Sequence, residues 1–324
     1  MYFVGGGMVQ GHPLTSAIPW RVIQKTNIPI FGVNFRKCVT TKTAFPAALQ
    51  DALSAFYFLL EMGYRQENIS IMGDSGGAGI VVTLLLYLNR YRFPMPENAV
   101  LISPFVDLTS RFDGKGVGEE EEGTLIELDF MNSEMLAMAG YQYCENRPEL
   151  RGTLLSPARG RLPEGYKFEG LCRCMVVWGD AEVFGLGIRK LVNHLRQAGV
   201  KVEAVVGKDE VHDFPIFSKA DGSNEFFGRE MEFMIEGTEL GVCGIVFDWV
   251  KLREFGMFSL CHKVLAESMP ARNMIVLEKV RFVHMIRKAG ESERLAMSLG
   301  GRKKFKKRRE EAMRATVEQK GYVC

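Results

Sequence analysis

Gly73-Asp74-Ser75-Gly76-Gly77 sets a serine between glycines in the pattern G-x-S-x-G. The strand-like run Asn68-Ile69-Ser70-Ile71-Met72 leads into it, and the apolar helical segment Gly79–Tyr91 leads out. A strand–turn–helix of this kind lifts the serine hydroxyl clear of the sheet, where it can attack a carbonyl carbon. A free serine hydroxyl is a poor nucleophile and needs an adjacent base. Five histidines are present. His194 falls inside a helical pattern, His262 and His284 lie in a stretch with no clear pattern, and His12 follows a glycine loop. His212, in Val211-His212-Asp213-Phe214, comes just after an apolar strand and is the candidate base. A third member, an acid, fixes the imidazole tautomer and stabilises the imidazolium. Asp180 and Glu182 both follow the strand that ends at Trp178, and proximity in sequence does not separate them.

Acyl transfer also requires backbone N–H donors aimed at the oxyanion that develops in the transition state. Gly5-Gly6-Gly7 offers such a loop, with Gly5 and Gly6 as expected donors and the amide of Gly76, next to the nucleophile, as another. A dinucleotide-binding loop is excluded because the last glycine of G-x-G-x-x-G is missing. A P-loop is excluded because Gly11 is followed by His12-Pro13 instead of lysine and a hydroxyl residue.

The elements that hold these residues alternate. Tyr2-Phe3-Val4 reads as the end of a strand, Leu14–Lys25 as a helix and Ile28–Phe35 as a strand. Leu49, Leu53, Phe56 and Leu60 recur at helical spacing within Phe45–Met62, and Gly63 follows as a stop. Strands are expected at 99–102, 174–178 and 202–206, and a helix at 188–198. Strands that alternate with helices and are apolar on both faces predict an α/β fold with a doubly wound, mostly parallel sheet. In such sheets, function gathers at the carboxyl ends of the strands. Two regions break the rhythm. One is 108–151, read as a cap insertion and containing the acidic run Glu119–Glu122. The other is 239–324, read as an irregular extension of a core at 1–238.

Composition narrows the function classes. The chain has 324 residues, 47% of them hydrophobic and 25% charged, which excludes wholesale disorder. Net charge is +2, yet residues 301–320 alone carry +6, so the rest is mildly acidic and has no general affinity for nucleic acid. Arg302–Arg309 reads as a solvated end, with a nuclear-localisation or nucleic-acid patch as the alternative. Seven scattered cysteines do not form a disulfide framework, and the lone Cys172-x-Cys174 pair lacks a zinc-spaced partner. Neither a membrane-spanning run nor a signal peptide is evident, so a reduced, cytoplasmic setting is expected, with no metal or organic cofactor.

Taken together, these segments resemble the hormone-sensitive-lipase-like group of α/β-hydrolases, which includes carboxylesterases and fungal acetyl-ester hydrolases. Gly73–Gly79 resembles the group's G-D-S-A-G-G elbow, and Tyr2–Gly7 its Y-x-H-G-G-G loop, with Val4 in place of the histidine. Ser103-Pro104-Phe105-Val106-Asp107-Leu108 resembles S-P-W-x-D-L, and Val211–Phe214 resembles the H-x-F loop. Gly179–Phe184 resembles the G-x-x-D/E-x-L acid loop, and this resemblance points to Glu182 as the acid. The likeness runs from Met1 to about residue 238. It implies a sheet lacking the group's first two strands and part of its cap, as in an N-terminally incomplete chain, with the strand at 28–35 left as a bare sheet edge.

The resemblance implies a serine carboxylester hydrolase that works through an acyl-enzyme, with Ser75, Glu182 and His212 as its triad and a small-molecule ester as its partner. The alternatives are a ligand-binding protein on the same fold, as in the plant gibberellin receptors that resemble this group, and a truncated gene product with little activity.

Overall fold

The structure is a computed structural model, and it describes residues 1–26, 28–109, 129–217, 233 and 274–277. The chain divides into two units, Met1–Glu278 and Lys279–Cys324, and the described residues all belong to the first. The second unit, with the basic run Arg302–Arg309, lies outside the described residues, and so do Glu119–Glu122 and most of the expected extension.

Within the first unit the chain forms β1 (Tyr2–Phe3), α1 (Ala17–Thr26), β2 (Ile30–Val33), α2 (Ala47–Glu61), β3 (Ser70–Asp74) and α3 (Ser75–Arg90). These are followed by β4 (Asn98–Ile102), α4 (Ser133–Cys144), β5 (Arg173–Gly179), α5 (Gly185–Gln197), β6 (Val202–Gly207) and β7 (Met274–Leu277). The strands make one sheet in the order β6-β5-β4-β3-β1-β2-β7, and every pairing is parallel. The chain starts in the middle, winds outward to β2, then returns to β3 and builds outward the other way. Every residue of β4 is buried, as are all but the first of β3 and β5. A strand buried on both faces needs layers on both sides, which is why these runs carry no polar alternation.

Register matters more to function than shape does. Phe3 pairs with Gly73, Asp74 with Ile102, Ile102 with Val177 and Gly179 with Gly207. The carboxyl ends of β1, β3, β4, β5 and β6 therefore share one edge of the sheet. The residues that follow them, Val4–Gly7, Ser75, Ser103, Asp180–Glu182 and Lys208–His212, are delivered to that edge together.

The helices agree with the expected periods, with instructive shifts. In α2 the buried stripe runs through Ala48, Leu49, Ala52, Ala55, Phe56 and Leu59, while Leu53 and Leu60 are only half-buried. Alanines on that stripe let α2 lie close to α3 and β2, against which it packs. α3 begins at Ser75 itself, four residues ahead of the expected start. Gly77 makes that early start possible, because a Cβ there would lie 2.1 Å from the carbonyl oxygen of Phe3. β2 is not the bare edge that the sequence suggested. Ile30 to Val33 pair in parallel with Met274 to Leu277, which satisfies backbone groups that an open edge would leave exposed. Met274-Ile275-Val276-Leu277 is an isolated apolar run with no helical partner pattern beside it, so nothing in its surroundings marked it as a strand.

Candidate active site

β3 hands directly into α3, and the turn between them forces Ser75 into the left-handed region with φ 49°. A non-glycine residue there costs on the order of 1–3 kcal/mol and persists only where its surroundings hold it. Here the strand fixes one side and the helix the other. The residue thus projects its hydroxyl at the first turn of a 16-residue helix, beside the partial positive charge of the helix N-terminus.

His212 reaches this hydroxyl from the loop after β6. Its Nε2 lies 2.9 Å from Ser75 Oγ, and both residues are buried. Phe184 packs edge-on to the imidazole at 4.7 Å, and Phe105 stacks on Phe184 at 4.7 Å with the rings 3° from parallel. This aromatic wall sets the plane of the ring. Phe130 and Phe217, both exposed, meet edge to face at 5.7 Å, and Phe130 also lies 6.1 Å from the imidazole.

The two carboxylates that the sequence left open part company. Asp180 is exposed, and its Oδ1 accepts the Asp209 amide at 2.6 Å, which ties the loop after β5 to the turn after β6. Glu182 is fully buried. Its Oε1 faces His212 Nδ1 at 3.8 Å, and neither atom has a hydrogen-bond partner. The separation exceeds a hydrogen bond, and pairs of this kind tighten in the complex with substrate. Glu182 Oε2 accepts from the Gly179 amide at 2.9 Å and from the Ser103 hydroxyl at 2.6 Å. Burial raises the Glu182 pKa, while His212, Ser103 and the Gly179 amide pull it down.

Ser103 is the residue that sequence reasoning missed. It appeared only as the first letter of a resembling strand end. In the structure it is fully buried, its backbone is left-handed at φ 41°, and its hydroxyl accepts the Asp213 amide at 2.9 Å while donating to Glu182. One side chain thus ties the loop carrying the acid to the loop carrying the base. Asp129 was missed as well; its Oδ2 accepts the Val183 amide at 2.9 Å and pins the acid loop from outside. Its position in a segment read as a cap gave no signal. Ser103 did have one, since it immediately follows a buried strand at the functional edge.

The glycine loop lies against the elbow. Gly6, Gly7 and Met8 are consecutively left-handed, with φ 101°, 60° and 63°. A Cβ on Gly76 would sit 2.7 Å from Met8 Sδ and 2.8 Å from the Met8 amide nitrogen, so only glycine allows this approach. Of the three expected oxyanion donors, Gly5 is committed elsewhere. Its amide donates to Asp74 Oδ2 at 2.8 Å, because the loop doubles back onto the carboxylate that precedes the nucleophile. The other oxygen of Asp74 lies 2.5 Å from the Tyr2 hydroxyl, which is also 2.6 Å from Ser16 Oγ. The Gly6 carbonyl accepts the Val9 and Gln10 amides, both at 3.1 Å. Gly76 is in the first turn of α3, where no intrahelical acceptor exists for its amide. Burial, and then the charge of Asp213, push Asp74 up to about 7, against the hydrogen bonds from Tyr2 and Gly5 and the charge of His212. Val4, where the resembling group has histidine, is buried beside Gly11.

Comparison with known proteins agrees with this architecture. A family described as the alpha/beta hydrolase fold matches residues 1–216. An acetyl-hydrolase of Streptomyces hygroscopicus is 29% identical over 207 residues, which cover 62% of this chain and 63% of that protein. An esterase of Acinetobacter venetianus is 35% identical over 65 residues, 20% of this chain and 22% of that protein. The chain thus spans less than two thirds of the length of these relatives. Among solved structures, an esterase from the bacterial hormone-sensitive lipase family superposes with a TM-score of 0.62 at 26% identity, covering 73% of this chain and 75% of that one.

Proposed function

Because the chain belongs to the alpha/beta hydrolase fold family, we propose that it hydrolyses carboxylic esters through an acyl-enzyme on Ser75. The 2.9 Å approach of His212 Nε2 to Ser75 Oγ, between residues 137 positions apart, carries this reading. With its proton on Nδ1, facing Glu182, the imidazole offers the Nε2 lone pair to the serine hydroxyl. Ser75 Oγ attacks the ester carbonyl, and His212 takes the proton. The resulting oxyanion is met by the amides of Gly6 and Gly76, with Gly7 beside them, at the positive end of α3. His212 then protonates the leaving alkoxide, and the C–O bond breaks. Water attacks the acyl-enzyme with His212 again as base, which releases the acid and restores Ser75. Glu182 stabilises the imidazolium at each stage. Asp74, by holding the Gly5 amide, keeps the glycine loop in place.

The names of the relatives and the exposed aromatic pair Phe130 and Phe217 beside His212 support small or short-acyl esters as substrates. The four described cysteines carry free thiols, which supports a reducing, cytoplasmic setting. Among the described residues, no helix is long and apolar enough to cross a membrane.

Hydrolysis of p-nitrophenyl acetate and butyrate by the purified full chain tests the proposal. We expect turnover by the wild type and loss of nearly all of it in Ser75→Ala. Turnover that survives Ser75→Ala unchanged would remove Ser75 from the reaction.

A further inference from the structure

The imidazole has a second carboxylate neighbour, and it lies on the wrong side for a triad acid. Asp213 Oδ2 is 3.2 Å from His212 Nε2, the same nitrogen that faces Ser75. The other Asp213 oxygen is buried and has no hydrogen-bond partner. The residue is held in this pose by its backbone, which is left-handed at φ 54° and whose amide donates to Ser103 Oγ at 2.9 Å. From the position of this carboxylate we infer that Asp213 is a further catalytic residue, an anionic partner for the Nε2 proton that sets the pH at which His212 can act as a base. This rests on the proposed esterase reading and extends it.

The physical reasoning concerns one atom. A neutral imidazole protonated on Nδ1 presents a lone pair at Nε2, and a carboxylate oxygen at 3.2 Å repels that lone pair. An imidazolium presents N–H there instead, which donates to the same oxygen. Asp213 therefore favours the protonated base over the free base, and it adds to Glu182, which favours the same state from the Nδ1 side. Burial alone lowers the pKa of His212, but Asp213 and Glu182 outweigh it, and His212 lies well above the ordinary histidine value. Among the described residues, the other titratable groups facing this corner are Asp74, at the end of β3, and the Tyr2 phenol on β1, which feels both Asp74 and Asp213.

Two consequences follow for the reaction. Ser75 becomes activated only once the Nε2 proton is lost, so the acid limb of the rate profile moves to higher pH. Above that limb His212 is a stronger base, and the imidazolium formed in each transition state has a second anionic neighbour.

The test follows the pH dependence of Ser75 phosphonylation by a fluorophosphonate, in which Oγ bonds to phosphorus, fluoride leaves and the hydroxyl proton passes to His212. It compares wild type with Asp213→Asn and Asp213→Gly. Asparagine and glycine both tolerate a left-handed backbone, so neither replacement strains the loop. In parallel, the ring of His212 is titrated by nitrogen NMR in histidine-labelled protein, with His212→Gln assigning the signal. We expect the acid limb and the ring midpoint to fall together by about one pH unit or more in both variants, with the plateau rate several-fold lower. A loss of rate with an unmoved limb and midpoint would overturn the role of Asp213 and leave the esterase reading standing. No labelling of Ser75 in the wild type at any pH would overturn the esterase reading. The ring titration then still judges Asp213, and equal midpoints in wild type and variants would reject it.

Discussion

Ser103 shows how a single hydroxyl can hold two loops in register. Its oxygen accepts a hydrogen bond from the Asp213 amide and its hydroxyl donates one to Glu182, so removing it strands a buried amide and strips a donor from a buried carboxylate. Leaving such groups unsatisfied costs about 1–3 kcal/mol each. We expect Ser103→Ala to lower the midpoint of chemical denaturation accordingly and to reduce kcat more than it raises KM, since Ser103 is fully buried and acts through Glu182 and the Asp213 amide. Glu182→Gln keeps the volume but loses the charge that favours the Nδ1-protonated tautomer. A fall of roughly a thousand-fold or more in kcat is expected, by analogy with the acid of other triads. Asp180→Asn, which only loosens a surface turn, is expected to leave kcat within a few-fold of wild type. Steady-state kinetics on one p-nitrophenyl ester separates the three variants. At this scale the sequence was legible for Ser75 and His212, because their types, order and strand-end positions are unusual in combination. Proximity did not separate Asp180 from Glu182, since two carboxylates two residues apart differ only in which one the turn buries; only the resemblance of Gly179–Phe184 to the group's acid loop pointed to Glu182. The commitment of the Gly5 amide to Asp74 was invisible for the same reason: hydrogen-bond partners 69 residues apart leave no local trace.

At the scale of elements, the elbow is where sheet, helix and glycine loop press together. The Phe3 carbonyl lies where a side chain on residue 77 would have to go, so Gly77→Ala forces β1 and α3 apart. Gly73 and Gly77 were readable as elbow glycines, yet the atom that Gly77 makes room for belongs to a strand only two residues long. Backbone is the obstacle, and it cannot rotate away as a side chain does. We expect Gly77→Ala to lower the thermal midpoint by several degrees and to cut Ser75 labelling, because the left-handed pose of Ser75 depends on the same contact. Leu84, fully buried in α3, gives a contrasting case. Leu84→Ala is expected to cost about 2–5 kcal/mol in stability while leaving the labelling rate of the folded fraction near wild type. Denaturation curves read together with labelling rates distinguish a damaged elbow from a damaged core. The helices and most strands were legible because their apolar periods are long. The start of α3 was misplaced by four residues because Ser75, Gly76 and Gly77 are poor helix formers, held there by tertiary contact.

Across the whole molecule, proton binding links the site to the fold. Asp74 titrates near 3.8 in a solvated chain and at about 7 in the folded one. Between these values the folded protein holds a proton that the unfolded chain has released, so stability falls as pH rises from about 4 to 7. Asp74→Asn is expected to flatten this dependence, as read from urea denaturation at pH 5 and pH 8. The variant retains an oxygen for the Gly5 amide. The overall architecture was legible from alternation alone, since strands buried on both faces admit few arrangements. The pairing of β2 with β7 was not, because 240 residues separate Val33 from Met274 and no local pattern announces a partner that distant. The central claim remains that one serine carries the acyl group. Mass spectrometry of the full chain, quenched during the first turnovers with p-nitrophenyl acetate and digested, addresses it most directly. We expect a single acetyl adduct on the peptide containing Ser75, building up at the rate of the p-nitrophenol burst and disappearing on further incubation. Hydrolysis without any adduct on that peptide, or with the adduct on another residue, would contradict the account.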